Sequence, residues 1–183
     1  MRKTFEIHNN LVPFLKWPGG KRWFIANHAD LLPVDFRTYI EPFLGSGTVF
    51  FYLKPSKAIL GDLNPDLIAT YQGLKRDWMM VEELLEKHEE AHDEAYYYAV
   101  RNTEPRNCVY RAARFIYLNR TCFNGIYRVN LDGQFNVPKG NRSSVLFDTD
   151  DFSKISQLLT KAEIRVSHFE GLIDKAKRHE FVF

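Results

Sequence analysis

The stretch that decides the fold is "TYIEPFLGSGTVFFYL", residues 38–53. Its opening residues are β-rich and predict a strand over residues 38–43, which a Gly-Ser-Gly turn ends before "TVFFYL" begins a helix. A second predicted strand, "KAILGD", ends at Asp62, and Asn64 and Pro65 then supply an N-cap and a first helical residue. The order strand, helix, strand, helix predicts an α/β fold with a parallel sheet.

Beyond this unit the pattern is interrupted and later resumes. Residues from about 78 to 118 are predicted to be almost wholly helical, and "GIYRVNLDGQFNV" predicts a β-hairpin about Asp132-Gly133. A helix, a third strand in "IRVSHF", a helix over 170–179 and the start of a fourth strand in "FVF" follow. We therefore predict a first part over residues 1–75, an inserted subdomain over 76–145 and a return to the first fold over 146–183.

Composition excludes several classes of protein. The formal charge of +2 is nearly balanced, so only local clusters could indicate a nucleic-acid partner. The two cysteines, Cys108 and Cys122, lack the spacing of a zinc site, and no apolar run approaches the roughly 18 residues of a membrane helix. The N-terminus "MRKTFEIHNN" lacks the apolar core of a signal peptide, so we expect a cytoplasmic protein without a structural metal.

Two glycine turns are candidates for ligand binding. Gly45 and Gly47 lie between a strand and a helix, and this G-x-G pattern alone is about as typical of an ordinary turn. Asp62 at the end of the next strand could accept hydrogen bonds from a ribose diol, which favours a ligand containing a nucleoside. In "KWPGGK", residues 16–21, Trp17 offers a flat face and Lys21 a cation, although a solvated surface turn is the plainer interpretation.

Four motifs occur together in one order: "KWPGGK", "EPFLGSG", "GDLN", and "LNRTCFNGIYRVN" with "GQFNVPKG". In this order and approximate spacing the chain resembles the Dam-type (D12 class) DNA adenine methyltransferases, from about residue 14 to residue 183. The resemblance implies an incomplete, Rossmann-like methyltransferase sheet with an inserted target-recognition subdomain made of helices and a β-hairpin. It also implies an enzyme that transfers a methyl group from S-adenosylmethionine to the adenine amino nitrogen in a short, GATC-like site of double-stranded DNA.

The resemblance assigns candidate cofactor residues. It implies that Trp17, Lys21 and Asp62 contact S-adenosylmethionine, and that Glu41, Phe43, Gly45 and Gly47 shape the pocket around it.

The hairpin region carries the candidate DNA contacts. Basic residues bracket the hairpin and an aromatic residue, Phe123, lies at its entry, a combination suited to phosphate contact and to insertion into stacked bases. A simple turn with solvated charges is the alternative interpretation. The basic residues are Arg120, Arg128, Lys139 and Arg142. The resemblance implies that Phe123 lies beside the gap left by a flipped adenine and that Lys16 is a further DNA contact. It also implies that four residues read bases or base steps: Asn124, Ile126, Arg128 and Pro138.

One expected motif is absent. In the resembled family an Asp-Pro-Pro-Tyr tetrapeptide after the fourth strand holds the adenine amino group, whereas none of the eight prolines here is adjacent to another. Neither cysteine follows a proline, so a cytosine-directed thiol is not indicated either. We assign no catalytic residue and expect a chain truncated before its catalytic motif, with an unpaired sheet edge and a tendency to associate.

Alternatives to an intact enzyme therefore remain open. The chain could be a non-catalytic DNA-binding remnant or regulator, or one half of a split enzyme whose second polypeptide supplies the missing strands. The sequence does not separate restriction-linked, viral and housekeeping roles.

Overall fold

The computed structural model describes residues 11–174 and 176–183. The N-terminal segment considered above for a signal peptide lies outside these residues. The described strands are β1 (Thr38–Glu41), β2 (Ala58–Asp62), β3 (Ala162–Val166) and β4 (Glu180–Val182). The α-helices are α1 (Arg22–His28), α2 (Thr48–Leu53), α3 (Pro65–Glu90), α4 (Glu94–Arg101), α5 (Cys108–Thr121), α6 (Phe152–Leu159) and α7 (Glu170–Ile173).

The strands form one parallel sheet in the order β3-β2-β1-β4. Every residue of β1 is buried, as expected for a central strand of a parallel sheet. Tyr39 of β1 pairs with Ala58 of β2 on one side and with Phe181 of β4 on the other. The α/β fold with a parallel sheet is therefore confirmed, and the predicted fourth strand lies beside the first.

Helix α3 begins as the sequence predicts and carries much of the packing. The Asn64 side chain caps it by accepting hydrogen bonds from the backbone N–H groups of Asp66 and Leu67, with Pro65 in the first turn. The helix is kinked at Asp77, whose side chain accepts from the N–H of Met80 and so caps the second segment. The predicted boundary at 75/76 lies close to this kink.

The hydrophobic core is continuous across the three predicted parts of the chain. Tyr71 of α3, Tyr117 of α5 and Phe152 of α6 belong to one buried cluster. Helices α3 and α5 are in close contact at Gly73, where an added Cβ would lie 2.4 Å from the carbonyl oxygen of Cys108. The helical part of the proposed insertion thus packs directly on the sheet-bearing part.

The predicted hairpin is present as a turn but not as two strands. Among the described residues 125–137, a single isolated bridge joins Val129 and Phe135. The side chain of Asn130 accepts hydrogen bonds from the N–H groups of Asp132 and Gln134 at the turn, while the N–H groups of Asn130 and Asn136 still donate across the hairpin to the carbonyls of Gln134 and Arg128. The hairpin turn about Asp132-Gly133 is therefore present, but no regular strand flanks it among residues 125–137.

Two further predicted bounds differ from the structure. The helix predicted over 170–179 ends at Ile173, and Arg178 and His179 form a turn in which His179 has φ +69°. The N–H of Glu180 donates to the carbonyl of Lys177, which fixes this turn directly before β4. The third strand covers Ala162–Val166, so "SHF" at 167–169 follows the strand rather than completing it.

Two searches of the described residues were negative. No helix there combines the length and apolarity needed to cross a bilayer. Within the same residues, no group of three or more His, Cys, Asp and Glu side chains is arranged to hold a metal ion. Cys108 and Cys122 are both free thiols.

A cluster of histidine and tyrosine rings joins the end of α3 to α4 and α5. The His88 ring stacks on Tyr117 with centroids 4.7 Å apart, and its Nδ1 lies 2.8 Å from the hydroxyl of Tyr96. Nδ1 of His92 lies 2.8 Å from the hydroxyl of Tyr117. Burial lowers the pKa of His88 to about 4, because the packed rings do not solvate an imidazolium.

This lowered pKa makes stability depend on pH. Between pH 6.5 and pH 4 the unfolded chain protonates His88 while the folded chain keeps it neutral, so the free energy of unfolding should fall as the pH falls through this window. Above pH 6.5 the contribution should be constant. Urea unfolding at pH 7.5 and pH 5 measures the effect, and His88→Gln should flatten the pH dependence.

The matched control is His168→Gln, since the His168 side chain is 54% exposed. An equal pH slope in wild-type chain and His88→Gln would contradict the assignment.

Candidate functional site

The glycine turn after β1 is held on several sides. Gly45 and Gly47 have φ of +48° and +64°, which side chains with a Cβ rarely adopt. A Cβ added to Gly45 would lie 2.7 Å from Cδ1 of Trp17, so the indole packs directly on this backbone. The Tyr71 hydroxyl donates to the carbonyl of Gly45 at 2.9 Å. The turn is therefore fixed both by its own conformation and by the aromatic residues around it.

Asp62 at the end of β2 ties the second strand to this turn. One carboxylate oxygen accepts the N–H of Gly45 at 3.1 Å, and the other accepts the N–H of Asn64 at 3.0 Å. Each oxygen can accept a further hydrogen bond, and the side chain is only partly buried. The carboxylate is thus both a support for the turn and an available acceptor.

A cavity of about 500 Å³ opens above the turn. It brings together six of the seven predicted cofactor residues: Trp17, Lys21, Glu41, Phe43, Gly45 and Asp62. Gly47 does not line it and instead begins α2. Ser46, Thr48 and Phe183 also line the cavity and were missed by the sequence analysis. Ser46 and Thr48 alternate with the glycines in the quoted turn, so their position was a usable signal, whereas Phe183 arrives only through the pairing of β4 with β1.

Glu41 gives the cavity an unusual electrostatic feature. Its side chain is 3% exposed and its Oε2 has no hydrogen-bond partner among the described residues. Burial raises the pKa of Glu41 to about 8, while the cation of Lys21 acts in the opposite direction. A cationic group placed in the cavity would stabilise the charged form of this carboxyl group.

An aromatic surface lies beside the cavity. Phe43 is 67% exposed and its ring stacks on Phe169, with centroids 5.5 Å apart and planes 27° apart. Phe169 was not predicted, and its place after β3 gave no local signal for this contact. The pair presents a flat apolar face near the glycine turn.

The predicted DNA contacts lie on the side of the molecule formed by α5 and the turns that follow it. Asn119 of α5 binds the backbone of Lys16 twice, accepting from its N–H and donating to its carbonyl, each at 2.9 Å. Gly125 approaches Lys16 so closely that an added Cβ would lie 2.4 Å from Cδ of the lysine. Asn119 therefore places Lys16 beside the Asn124-Gly125 turn, a role that the sequence analysis did not assign.

The remaining candidates are mostly accessible. Phe123 is 53% exposed and Ile126 is 42% exposed, Asn124, Arg128 and Pro138 are also exposed, and Lys139 is half-buried. The Arg128 guanidinium donates to the Asn136 side chain at 2.8 Å, which orients it across the turn. Partial burial, and after it the nearby cation of Arg142, lower the pKa of Lys16, which indicates a positive potential there.

Arg120 requires a correction. Its side chain is 2% exposed and forms a two-pronged ion pair with Asp150, whose second contact is 2.7 Å. The same two guanidinium nitrogens also donate to the carbonyls of Val145 and Phe14, whereas Nε has no partner among the described residues. The predicted DNA contact by Arg120 is therefore wrong for this structure, since the charge is neutralised in the interior by a residue 30 positions away.

Comparisons with known proteins agree with the geometry. The family profile described as D12 class N6 adenine-specific DNA methyltransferase matches residues 17–183. The chain is 36% identical to "Type II methyltransferase M1.LlaDCHI" of Lactococcus lactis subsp. cremoris, over 95% of this chain and 64% of the relative. It is 37% identical to "Type II methyltransferase M.MjaIII" of Methanocaldococcus jannaschii, over 93% of this chain and 67% of the relative.

A third relative carries a different name. The chain is 32% identical to "DNA adenine methylase" of Haemophilus influenzae, over 93% of this chain and 62% of the relative. The chain thus spans about two thirds of the length of these relatives. The profile match, the relatives and the site lead to one conclusion: the chain belongs to the D12 class N6 adenine-specific DNA methyltransferase family.

Proposed function

We propose that this chain provides the cofactor-binding and DNA-reading parts of a site-specific adenine DNA methyltransferase. The methyl donor is S-adenosylmethionine, and the target is the amino nitrogen of adenine in a short, GATC-like site of double-stranded DNA. The observation that carries the proposal is the cavity in which Asp62, Glu41, Lys21 and the glycine turn come together.

The residues of the cavity fit the donor. S-adenosylmethionine carries a ribose diol, a carboxylate, an ammonium group and a sulfonium, and when bound it supplies the electrophilic methyl group. Asp62 accepts the ribose hydroxyls, as acidic residues at this position of nucleotide-binding sheets do. Oε2 of the buried Glu41, which has no hydrogen-bond partner among the described residues, offers the cationic part of the ligand a charge partner, and Lys21 offers one to its carboxylate. A volume of about 500 Å³ is within the usual range of ligand pockets.

The exposed residues around the hairpin fit duplex DNA. Arginine makes the commonest specific contact in the major groove, bidentate to guanine. Arg128 is exposed, and its guanidinium is bound to Asn136. Phe123 has the exposed aromatic ring needed to fill the gap when a base leaves the stack. Lys16, Lys139 and Arg142 add positive charge for phosphates, while Asn124, Ile126 and Pro138 complete the surface that reads bases and base steps.

The methyl-transfer step needs groups that the 183 residues do not contain. The adenine amino nitrogen has a delocalised lone pair, so acceptors must hold its hydrogens while the donor lies in line. No Asp-Pro-Pro-Tyr motif occurs in the sequence, so the proposal assigns no catalytic residue among the 183 residues. Action in the cytoplasm, where a DNA-modifying enzyme of this type meets its substrate, is part of the same proposal.

Replacing Asp62 tests the cofactor site. Calorimetric titration of the chain with S-adenosylhomocysteine should show binding to one site. Asp62→Asn should weaken it roughly 10- to 100-fold, because a hydrogen bond to a charged acceptor contributes about 1.5–3 kcal/mol. Asn keeps one oxygen for the N–H of Gly45, and a thermal melt checks that the variant is folded.

The control variant is Asp35→Ala, since Asp35 is exposed and lies outside the cavity. Absence of binding by a folded wild-type chain, or equal affinity in Asp62→Asn, would contradict the cofactor assignment.

Replacing Arg128 tests the DNA reader. Fluorescence anisotropy should show tighter binding to a 20-base-pair duplex with a central GATC than to the same duplex with that site scrambled. Arg128→Ala should reduce this preference by about 5- to 100-fold, since a bidentate base contact contributes about 1–3 kcal/mol of discrimination.

Arg76→Ala is the matched control, because Arg76 is an exposed arginine on α3. If Arg128→Ala weakened both duplexes equally, its role would be phosphate contact and the base-reading assignment would be wrong.

A further inference from the structure

Tyr127 lies between two of the candidate DNA readers but is turned inward. Ile126 and Arg128 are exposed, whereas Tyr127 is half-buried. Its ring contacts three others: centroids are 5.6 Å from Trp17, 5.2 Å from Phe115 and 5.7 Å from Phe135. Its hydroxyl donates to Oδ2 of Asp66 at 3.0 Å. Burial, and after it the Asp66 carboxylate, raise the pKa of Tyr127, so the hydroxyl remains a donor.

Two contacts of Tyr127, with Trp17 and with Asp66, connect it to the cofactor cavity and are called its anchors below. Trp17 lines that cavity and packs on Gly45. Asp66 lies in the first turn of α3, and its N–H donates to the Asn64 side chain at 3.0 Å. The N–H of Asn64 in turn donates to Asp62 at 3.0 Å. One tyrosine is therefore connected to two separate walls of the cavity, through an aromatic contact and through a chain of hydrogen bonds.

We propose that Tyr127 is a positioning residue that couples cofactor binding in the cavity to the arrangement of Ile126 and Arg128 for DNA. The proposal rests on the function proposed above. A ligand that contacts Trp17 and Asp62 restrains both anchors of Tyr127, and through them the backbone between the two readers. The DNA then binds to a hairpin that has already lost part of its conformational freedom, which gives positive cooperativity.

The hairpin is held near the readers by a small number of described contacts. Its cross-strand backbone bonds run from the Asn136 N–H to the Arg128 carbonyl at 3.2 Å, from the Asn130 N–H to the Gln134 carbonyl at 2.9 Å and from the Phe123 N–H to the Pro138 carbonyl at 2.9 Å. Phe135 on the returning segment also packs on the tyrosine ring. The Arg128 guanidinium is bound to Asn136. Because Tyr127 is the neighbouring residue, the way it is held acts on the backbone that carries both groups.

The test compares DNA affinity with and without saturating S-adenosylhomocysteine. Anisotropy with the GATC duplex should show at least about fivefold tighter binding to wild-type chain when the cofactor product is present. Tyr127→Phe removes only the bond to Asp66 and should lower this ratio. Tyr127→Leu also removes the ring contact with Trp17 and should bring the ratio close to 1. Tyr110→Phe, an exposed tyrosine on α5, should leave it unchanged.

Hydrogen–deuterium exchange supplies a readout that does not need DNA. In wild-type chain S-adenosylhomocysteine should slow exchange of the N–H groups of Asn130 and Asn136, and in Tyr127→Leu this protection should be lost. Replacing a residue that only supported the fold would lower the DNA affinity equally with and without S-adenosylhomocysteine, so the ratio of the two affinities would not change.

Three results would overturn the coupling. They are a wild-type ratio near 1, an unchanged ratio in a folded Tyr127→Leu variant, and equal exchange protection in the two chains. A folded wild-type chain that bound neither ligand would overturn the proposed function, and the coupling with it. If the wild-type chain bound both S-adenosylhomocysteine and DNA, but its DNA affinity were the same with and without S-adenosylhomocysteine, only the coupling would be overturned.

Discussion

The hydrogen bond from the Gly45 N–H to the Asp62 carboxylate is the constraint on which the site depends. It joins the end of β2 to the turn that follows β1, at 3.1 Å. The second oxygen of Asp62 holds Asn64, which caps α3, so one carboxylate sets both the glycine turn and the start of the longest described helix. Trp17 packs on the same glycine and forms a wall of the cavity. The cavity is thus a consequence of how two neighbouring parallel strands end.

A second set of polar contacts, centred on consecutive residues of α5, fixes the DNA-facing side. Asn119 binds the backbone of Lys16, while Arg120 pairs with Asp150 and binds the carbonyl of Phe14. Burying such an ion pair carries a desolvation cost, and losing one partner typically destabilises a protein by about 3–5 kcal/mol. Together these contacts hold α5, the segment before Trp17 and the loop before α6 in fixed positions. The candidate readers lie exposed beside them.

Local signals in the sequence were sufficient for the first strands, the glycine turn and the Asn64 cap. The cofactor residues came from the family resemblance; six of the seven line one cavity, and their role in binding stays a prediction. Local signals failed where a contact depends on a residue distant in the sequence or on a competing side chain. Arg120 belongs to a basic segment, and only its contact with Asp150 shows that its charge is buried. The hairpin about Asp132-Gly133 is shorter than its β-rich sequence indicates, and the Asn130 side chain takes two of the backbone donors at its turn. Phe183 and Phe169 reach the site through strand pairing and ring stacking, which no local pattern records.

The central claim is that the cavity above Gly45 receives S-adenosylmethionine on a platform shared with the DNA reader. A crystal structure of the chain grown with S-adenosylhomocysteine tests it most directly. The account predicts the ribose hydroxyls on Asp62, the cationic end of the ligand at Glu41, and Trp17 against both the ligand and Tyr127. A ligand bound elsewhere, or a folded chain whose cavity stays empty at saturating concentration, would contradict it.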